Sequence, residues 1–121
     1  MDSVKQAVGE LPRYFYFGAN PFTTTDQSSK AIYKETYYTT IQGIITGTGA
    51  VSATVTVQVS NEVATGQGTA SNWVTLASTL SLTGTTTDTK GMEVTGAWRF
   101  IRVGISSISG TGATVQVLMG T

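Results

Sequence analysis

Alternation of apolar and polar residues is the strongest signal in this sequence. Along residues 51–59, valine or alanine occupies every odd position, and serine, threonine or glutamine occupies every even position. This period of two is typical of a β-strand with one buried face, because successive side chains of a strand point to opposite sides. Residues 113–119 repeat the pattern with alanine, valine and methionine at the odd positions. We therefore predict two strands whose odd-numbered residues, Val57 and Val117 among them, lie in the core.

Weaker signals predict further strands. Residues 13–17 are aromatic, residues 31–45 are rich in Tyr, Thr and Ile, and residues 73–82 and 97–107 carry spaced apolar side chains. Aromatic and β-branched residues favour strands. The Thr- and Gly-rich residues 83–91 are predicted as a turn region. Together these segments predict an all-β protein, a jelly-roll-like sandwich of two sheets with about seven to nine strands.

A six-residue sequence occurs twice in the chain. ITGTGA at residues 45–50 returns as ISGTGA at residues 108–113, and each copy precedes an alternating strand. Glycine tolerates positive φ, so we interpret each Gly-Thr-Gly as the tight turn of a β-hairpin. A phosphate-binding loop is excluded, because such a loop is followed by a helix whose N-terminus faces the anion.

The N-terminal residues predict a short arm rather than a domain. Gly9 and Pro12 end any helix before it exceeds a turn or two. We therefore assign residues 1–12 to an arm and residues 13–121 to a single β-sandwich domain. The chain shows no signal-peptide pattern and no apolar segment of about 20 residues, so no membrane partner is expected.

Composition narrows the possible functions. Charged residues make up 12% of the chain, about half the usual fraction of roughly 25%, and threonine, serine and glycine take their place. Seven basic and seven acidic residues give a formal net charge of zero. Proteins that bind nucleic acid normally carry a basic patch that displaces counterions. We therefore do not expect nucleic acid as a partner.

The residue types also argue against catalysis. The chain contains no histidine and no cysteine, and its acidic residues are scattered, whereas an active site is a cluster of mutually tuned groups. We predict that the protein is not an enzyme and binds no cofactor. Asp26 and Asp88 each follow three threonines and could ligate calcium, but a turn role is favoured and no metal site is predicted. Exposed Trp73 or Trp98 could stack on sugar rings, although core packing is favoured for Trp98.

Two predicted strands carry large apolar side chains on both faces. In residues 97–107, Trp98 and Phe100 point to one side and Ile101 to the other, and residues 13–17 are aromatic throughout. A sandwich normally leaves one face of each sheet in water, so an arm, a second copy or another protein is expected to cover the second apolar face. The predicted partner-contact residues are Arg13, Tyr14, Tyr16, Arg99 and Arg102.

Three segments carry a resemblance to a known group of proteins. WVTL at residues 73–76, AWRFIRV at 97–103 and ISGTGATV at 108–115 resemble small β-sandwich virion proteins of tailed phages, over roughly the C-terminal half. Similar strands occur in carbohydrate-binding sandwiches of the discoidin kind.

The resemblance implies a decoration, or cement, protein. Such a protein binds the major capsid protein and copies of itself on the capsid exterior, after passing through the host cytoplasm during assembly. A tail-fibre or receptor-binding module that binds surface carbohydrate is the alternative, and a free carbohydrate-binding domain also stays open.

Overall fold

The computed structural model describes residues 14–16, 21–34, 36–62 and 72–120, the first of these ranges by its backbone only. The described residues contain no helix, so none that could cross a membrane. The prediction of an all-β protein is confirmed. The strands are β1 (Tyr14–Tyr16), β2 (Ile32–Tyr33), β3 (Tyr38–Ser60), β4 (Val74–Thr75), β5 (Leu80–Thr95) and β6 (Phe100–Gly120).

These strands form one antiparallel sheet around β3. On one side, β3 pairs with β6 from Thr40–Gly120 to Ser60–Phe100. On its other side, β3 pairs with β5 and, near its end, with β4. The outer edge of β6 pairs with β1 and β2. Two isolated bridges, Phe22 to Val115 and Ser28 to Gly104, extend that edge between β1 and β2.

The sheet folds over on itself and so forms both layers of a sandwich. Gly43, in the first half of β3, is buried against its second half, because a Cβ atom there would lie 3.8 Å from Val55 Cγ2. The same Cβ atom would lie 3.2 Å from Leu80 Cδ1 at the start of β5. The two expected sheets are therefore two halves of one sheet, and each long strand contributes to both layers. The described residues do not establish a jelly-roll connectivity.

The Gly-Thr-Gly sequences are bends within strands, so the prediction of two hairpins is wrong. β3 and β6 run through them and stay paired, with register shifts between Thr46 and Ser52. Positive φ values of 74° at Gly49, 121° at Gly110 and 64° at Gly112 turn the two strands together. The conformational freedom of glycine is used to bend a continuous ladder, because each strand already has its partner along its whole length. We call this bend the glycine corner.

Residues 83–91 are not a turn region either, since they lie inside β5. Ile45 pairs with Asp88 and Ala53 with Leu82, so β5 follows β3 on both sides of the bend. The local bend in β5 includes Thr86, with a φ of 88°. Threonine is β-branched and fits a pleated surface, and pairing with β3 outweighs the turn-like local composition.

The core lies between the two folded halves. Val57 and Val117, predicted to be buried, are 0% exposed. Ile45 and Leu82 join them in one continuous apolar cluster, and full burial of such a side chain contributes about 1.5–3 kcal/mol. The face assigned from the alternating pattern is therefore confirmed.

An ion pair lies at the free edge of β5, the edge that has no partner strand among the described residues. The Asp88 carboxylate accepts a hydrogen bond from the Thr83 N–H, and Lys90 Nζ donates to Asp88 Oδ2 and to the Ser81 carbonyl, each at 2.9 Å. These bonds occupy backbone groups at a sheet edge, where unpaired groups invite aggregation. The hydrogen bonds from the Lys90 side chain and the Thr83 N–H hold the pKa of Asp88 below its ordinary value.

Replacing Gly110 with alanine should destabilise the protein far more than replacing Gly112. A Cβ atom at Gly110 would lie 2.7 Å from the Ala50 carbonyl oxygen, whereas one at Gly112 meets open space. Gly112→Ala should cost about 1–2 kcal/mol for its left-handed backbone alone, and Gly110→Ala at least about 3 kcal/mol. Urea unfolding of both variants measures the difference, and equal losses would contradict the bent-ladder geometry.

The ion pair between Asp88 and Lys90 should make the free energy of unfolding depend on pH in the acid range. Because the pKa is lower in the folded than in the unfolded chain, the pair stabilises the fold above the unfolded value, and this stabilisation is lost as pH falls below about 4. Asp88→Asn should therefore be less stable than the wild type at pH 7, with a gap that narrows on acidification. Urea midpoints of the wild type and Asp88→Asn, measured at pH 7 and at a pH below about 4, test this. Glu93→Gln, which removes an exposed carboxylate from β5, is the control for the loss of one negative charge and should change the urea midpoint at pH 7 less than Asp88→Asn does.

Candidate functional site

The two ends of the sandwich differ in chemistry. Because β3 and β6 bend at their middles, the start and finish of each strand lie at the end opposite the glycine corner. The large apolar side chains that stay exposed in the described residues lie at this end: Tyr33 at 58%, Tyr37 at 54%, Tyr38 at 64% and Val74 at 50%. The glycine corner instead presents threonine, serine and glycine. We call the set Tyr33, Tyr37, Tyr38, Trp73, Val74, Arg99 and Arg102 the aromatic end.

A buried lysine joins the two layers at the aromatic end. Lys34 Nζ donates to the carbonyl oxygens of Thr36, Tyr37 and Gly96 at 2.7, 2.7 and 2.9 Å. Its backbone N–H donates to the Arg99 carbonyl, just before β6. Three acceptors match the three N–H donors of an ammonium group. Burial lowers the pKa of Lys34, while the carbonyl partners favour the charged form.

Ring contacts hold the exposed tyrosines in place. Tyr33 packs on buried Phe100 with ring centroids 4.8 Å apart, and Tyr37 meets Tyr38 edge-on at 4.9 Å. Both separations are typical of favourable aromatic pairs. Phe100 lies on the face of β6 opposite Ile101, and both are buried, so the predicted two-faced strand is confirmed. Tyr33 of the chain's own β2 covers part of that second face.

Arg102 lies in a row of polar contacts across the outer face of the sheet. Its guanidinium carbon is 4.3 Å from the ring centroid of Trp73, within the range of a cation–π contact. Arg102 Nε donates to Gln58 Oε1 at 2.7 Å, and Gln58 Nε2 donates to Thr75 Oγ1 at 2.9 Å. Burial lowers the pKa of Arg102 from its ordinary value. The guanidinium is therefore held by two contacts, the Trp73 ring and the Gln58 amide oxygen, before any ligand arrives.

The structure places the predicted contact residues unevenly. Arg99 is exposed and Arg102 half-buried, and both belong to the aromatic end. Tyr14 and Tyr16 lie in β1, where Tyr14 pairs with Gly120 at the same end of the molecule. Arg13 and the whole predicted arm, residues 1–12, lie outside the described residues.

Sequence reasoning missed the exposed tyrosines and the lysine among them. The signal was present in YKETYY at residues 33–38, where three tyrosines surround a lysine in a polar context. The sequence predicts strand over residues 31–45, and a strand pattern does not show which side chains stay exposed. Trp98, expected in the core, packs partly buried against it.

Other candidate chemistry is sparse. Asp26 lies in a turn with a φ of 68°, and its N–H donates to the distant Ile105 carbonyl, while Asp88 belongs to the β5 ion pair. Among the described residues, no three acidic side chains lie close enough together to hold a metal ion. An open groove of about 500 Å³ lies along β3 and β5 between Thr40 and Met92. Its one charged lining residue, Lys90, is already paired with Asp88.

Comparison of the chain with known protein families, with curated proteins and with solved structures finds no match.

Replacing Lys34 with methionine should destabilise the protein by about 2–4 kcal/mol, because three part-buried hydrogen bonds from a charged donor to backbone carbonyls are lost. Lys30→Met is the matched control, since Lys30 is exposed and its loss should cost less than about 0.5 kcal/mol. Thermal and urea unfolding measure both variants. Similar small losses would show that the lysine does not join the layers.

Proposed function

We propose that this chain is a non-enzymatic structural protein of a phage particle, which attaches to the major capsid protein through its aromatic end. The observation that carries the proposal is the concentration of exposed tyrosine at one end of an otherwise Thr- and Ser-rich surface. Tyrosine, tryptophan and arginine are enriched where protein interfaces concentrate their binding energy. All three residue types meet at the aromatic end.

The rigidity of the aromatic end supports a binding role. Side chains that are ordered before binding lose less conformational entropy on association, and that loss is about 0.5–1.5 kcal/mol for each immobilised side chain. Lys34 holds the carbonyl of Tyr37, Phe100 supports Tyr33, and Gln58 holds Arg102. The aromatic end therefore resembles a preformed contact surface more than a solvated loop region.

The rest of the molecule suits a component of a larger assembly. The resemblance of residues 73–76, 97–103 and 108–115 to virion proteins of tailed phages supports the capsid exterior as the location. β1 also pairs near the aromatic end, with Tyr14 opposite Gly120. Contact with neighbouring copies of this chain forms part of the proposal.

Carbohydrate binding is the second candidate function, as in a tail-fibre or receptor-binding module. The observation in its favour is the Tyr33 ring, which is 58% exposed and packs on Phe100. Rings that are supported on one face and open on the other are suited to stacking on a sugar.

Capsid attachment should depend on the tyrosines. Purified chain is mixed with phage capsids from which this protein has been deleted, and retention is measured by co-sedimentation. The double variant Tyr37→Ala, Tyr38→Ala should lower retention by on the order of a hundred-fold, since each truncated anchor costs about 1–2 kcal/mol. The control variant Thr48→Ala, Thr111→Ala, in exposed residues at the glycine corner, should be retained like the wild type.

Two results would contradict the proposal. Equal retention of both double variants would place the contact elsewhere. Absence of wild-type retention, together with saturable binding to a glycan array that Tyr33→Ala abolishes, would favour the carbohydrate-binding alternative.

A further inference from the structure

We propose that Arg102 binds the carboxylate of an aspartate or glutamate side chain on the partner protein. This inference rests on the proposed function, because it names the group that the aromatic end recognises. The ligand is a planar anion presented by a protein surface, and the site is the guanidinium edge that faces away from Gln58.

The guanidinium of Arg102 is already fixed in one orientation. Its plane is held by the Trp73 ring, 4.3 Å from the guanidinium carbon, and its Nε by Gln58 Oε1 at 2.7 Å. Gln58 is held in turn by Thr75 Oγ1, through its other amide atom. A free arginine side chain loses about 2 kcal/mol of rotamer entropy when it is ordered, and here the fold has already ordered it.

The donors that remain are those that a carboxylate needs. Within the described part of the chain, Arg102 contacts Gln58 and Trp73, and the N–H groups of both Nη atoms have no hydrogen-bond partner. No carboxylate among those residues forms an ion pair with it. Arginine binds carboxylates through two parallel N–H donors, and these bonds are roughly twice as strong as neutral ones. A half-buried cation without a counter-ion is therefore a site for an anion.

The surroundings favour a protein side chain over an acidic sugar. A sugar presents several hydroxyl groups, each of which needs an unused donor or acceptor. The Gln58 amide oxygen already accepts a hydrogen bond from Arg102 Nε, and one of its amide N–H groups already donates to Thr75 Oγ1, so part of the polar capacity beside the guanidinium is taken. The exposed neighbours at this end add apolar surface, with the Val74 side chain 50% exposed and Tyr33 58% exposed through its ring. An apolar rim beside one strong anion site matches an acidic residue set in a protein interface.

The experiment is an NMR titration of the purified full chain, and it needs no capsid. The Arg102 side-chain Nε–H resonance is followed while a tetraglutamate peptide is added, with tetraglutamine as the uncharged peptide and glucuronic acid as the acidic sugar. We expect a saturable shift with tetraglutamate and none with tetraglutamine. Arg102→Lys keeps the charge but loses the planar pair of donors, so its affinity, followed by backbone amide shifts, should fall on the order of ten-fold. The double variant Thr48→Ala, Thr111→Ala, in exposed residues at the glycine corner, should change it less than about two-fold.

The possible outcomes separate the two proposals. An unchanged affinity in Arg102→Lys, or no saturable shift with the wild type, would overturn the carboxylate site even where the tyrosines prove necessary for capsid retention. Saturation by glucuronic acid but not by tetraglutamate would replace the protein carboxylate with an acidic glycan. If capsids do not retain the wild type, the attachment function fails while the titration still decides whether Arg102 binds a carboxylate. Circular dichroism and urea midpoints of each variant confirm that it is folded.

Discussion

The structure depends on one constraint: two long paired strands bend together without breaking their hydrogen-bond ladder. At the glycine corner, β3 and β6 stay paired while Gly49, Gly110 and Gly112 adopt positive φ. The bend brings the apolar faces of the two halves together, so each alternating segment finds its core partner in its own sheet. Gly43 shows how closely they approach, because a side chain there would meet Leu80 and Leu82. Without the bend, the same strands would form a flat sheet with one long apolar face in water.

The bend also determines where the side chains of the aromatic end lie. Folding each strand at its middle sends both of its ends to the same end of the molecule, so loops that are distant in sequence meet there. Lys34 and Gly96 are 62 residues apart, yet the lysine ammonium donates to the glycine carbonyl. Trp73 and Arg102 meet in the same way across β4, β3 and β6. An aromatic end and a Thr- and Gly-rich end therefore follow from a single bend, and they give the molecule one surface suited to binding and one suited to water.

Polar contacts stabilise two parts of the fold that lie outside the apolar core. The open end of the layers is joined by one buried ammonium, and the free edge of β5 by the Asp88–Lys90 pair. Both occupy backbone groups that would otherwise face water or a neighbouring chain. The low fraction of charged residues, 12%, is thus partly committed to structure. Arg102, which has no carboxylate partner among the described residues, is therefore more notable as a contact residue.

The sequence by itself determined the all-β class, the strands at residues 51–59 and 113–119 and the face that each buries, because a period of two is a local property of side-chain direction. It also predicted the two-faced strand in which Phe100 and Ile101 are both buried. Only the tertiary structure decided that Gly-Thr-Gly bends a strand instead of ending it, and that residues 83–91 are strand. Glycine permits both a turn and a bend, and pairing with a distant strand selects between them. The contacts of Lys34 and Arg102 could not be predicted from the sequence either, because only the register of the folded sheet brings their partners together.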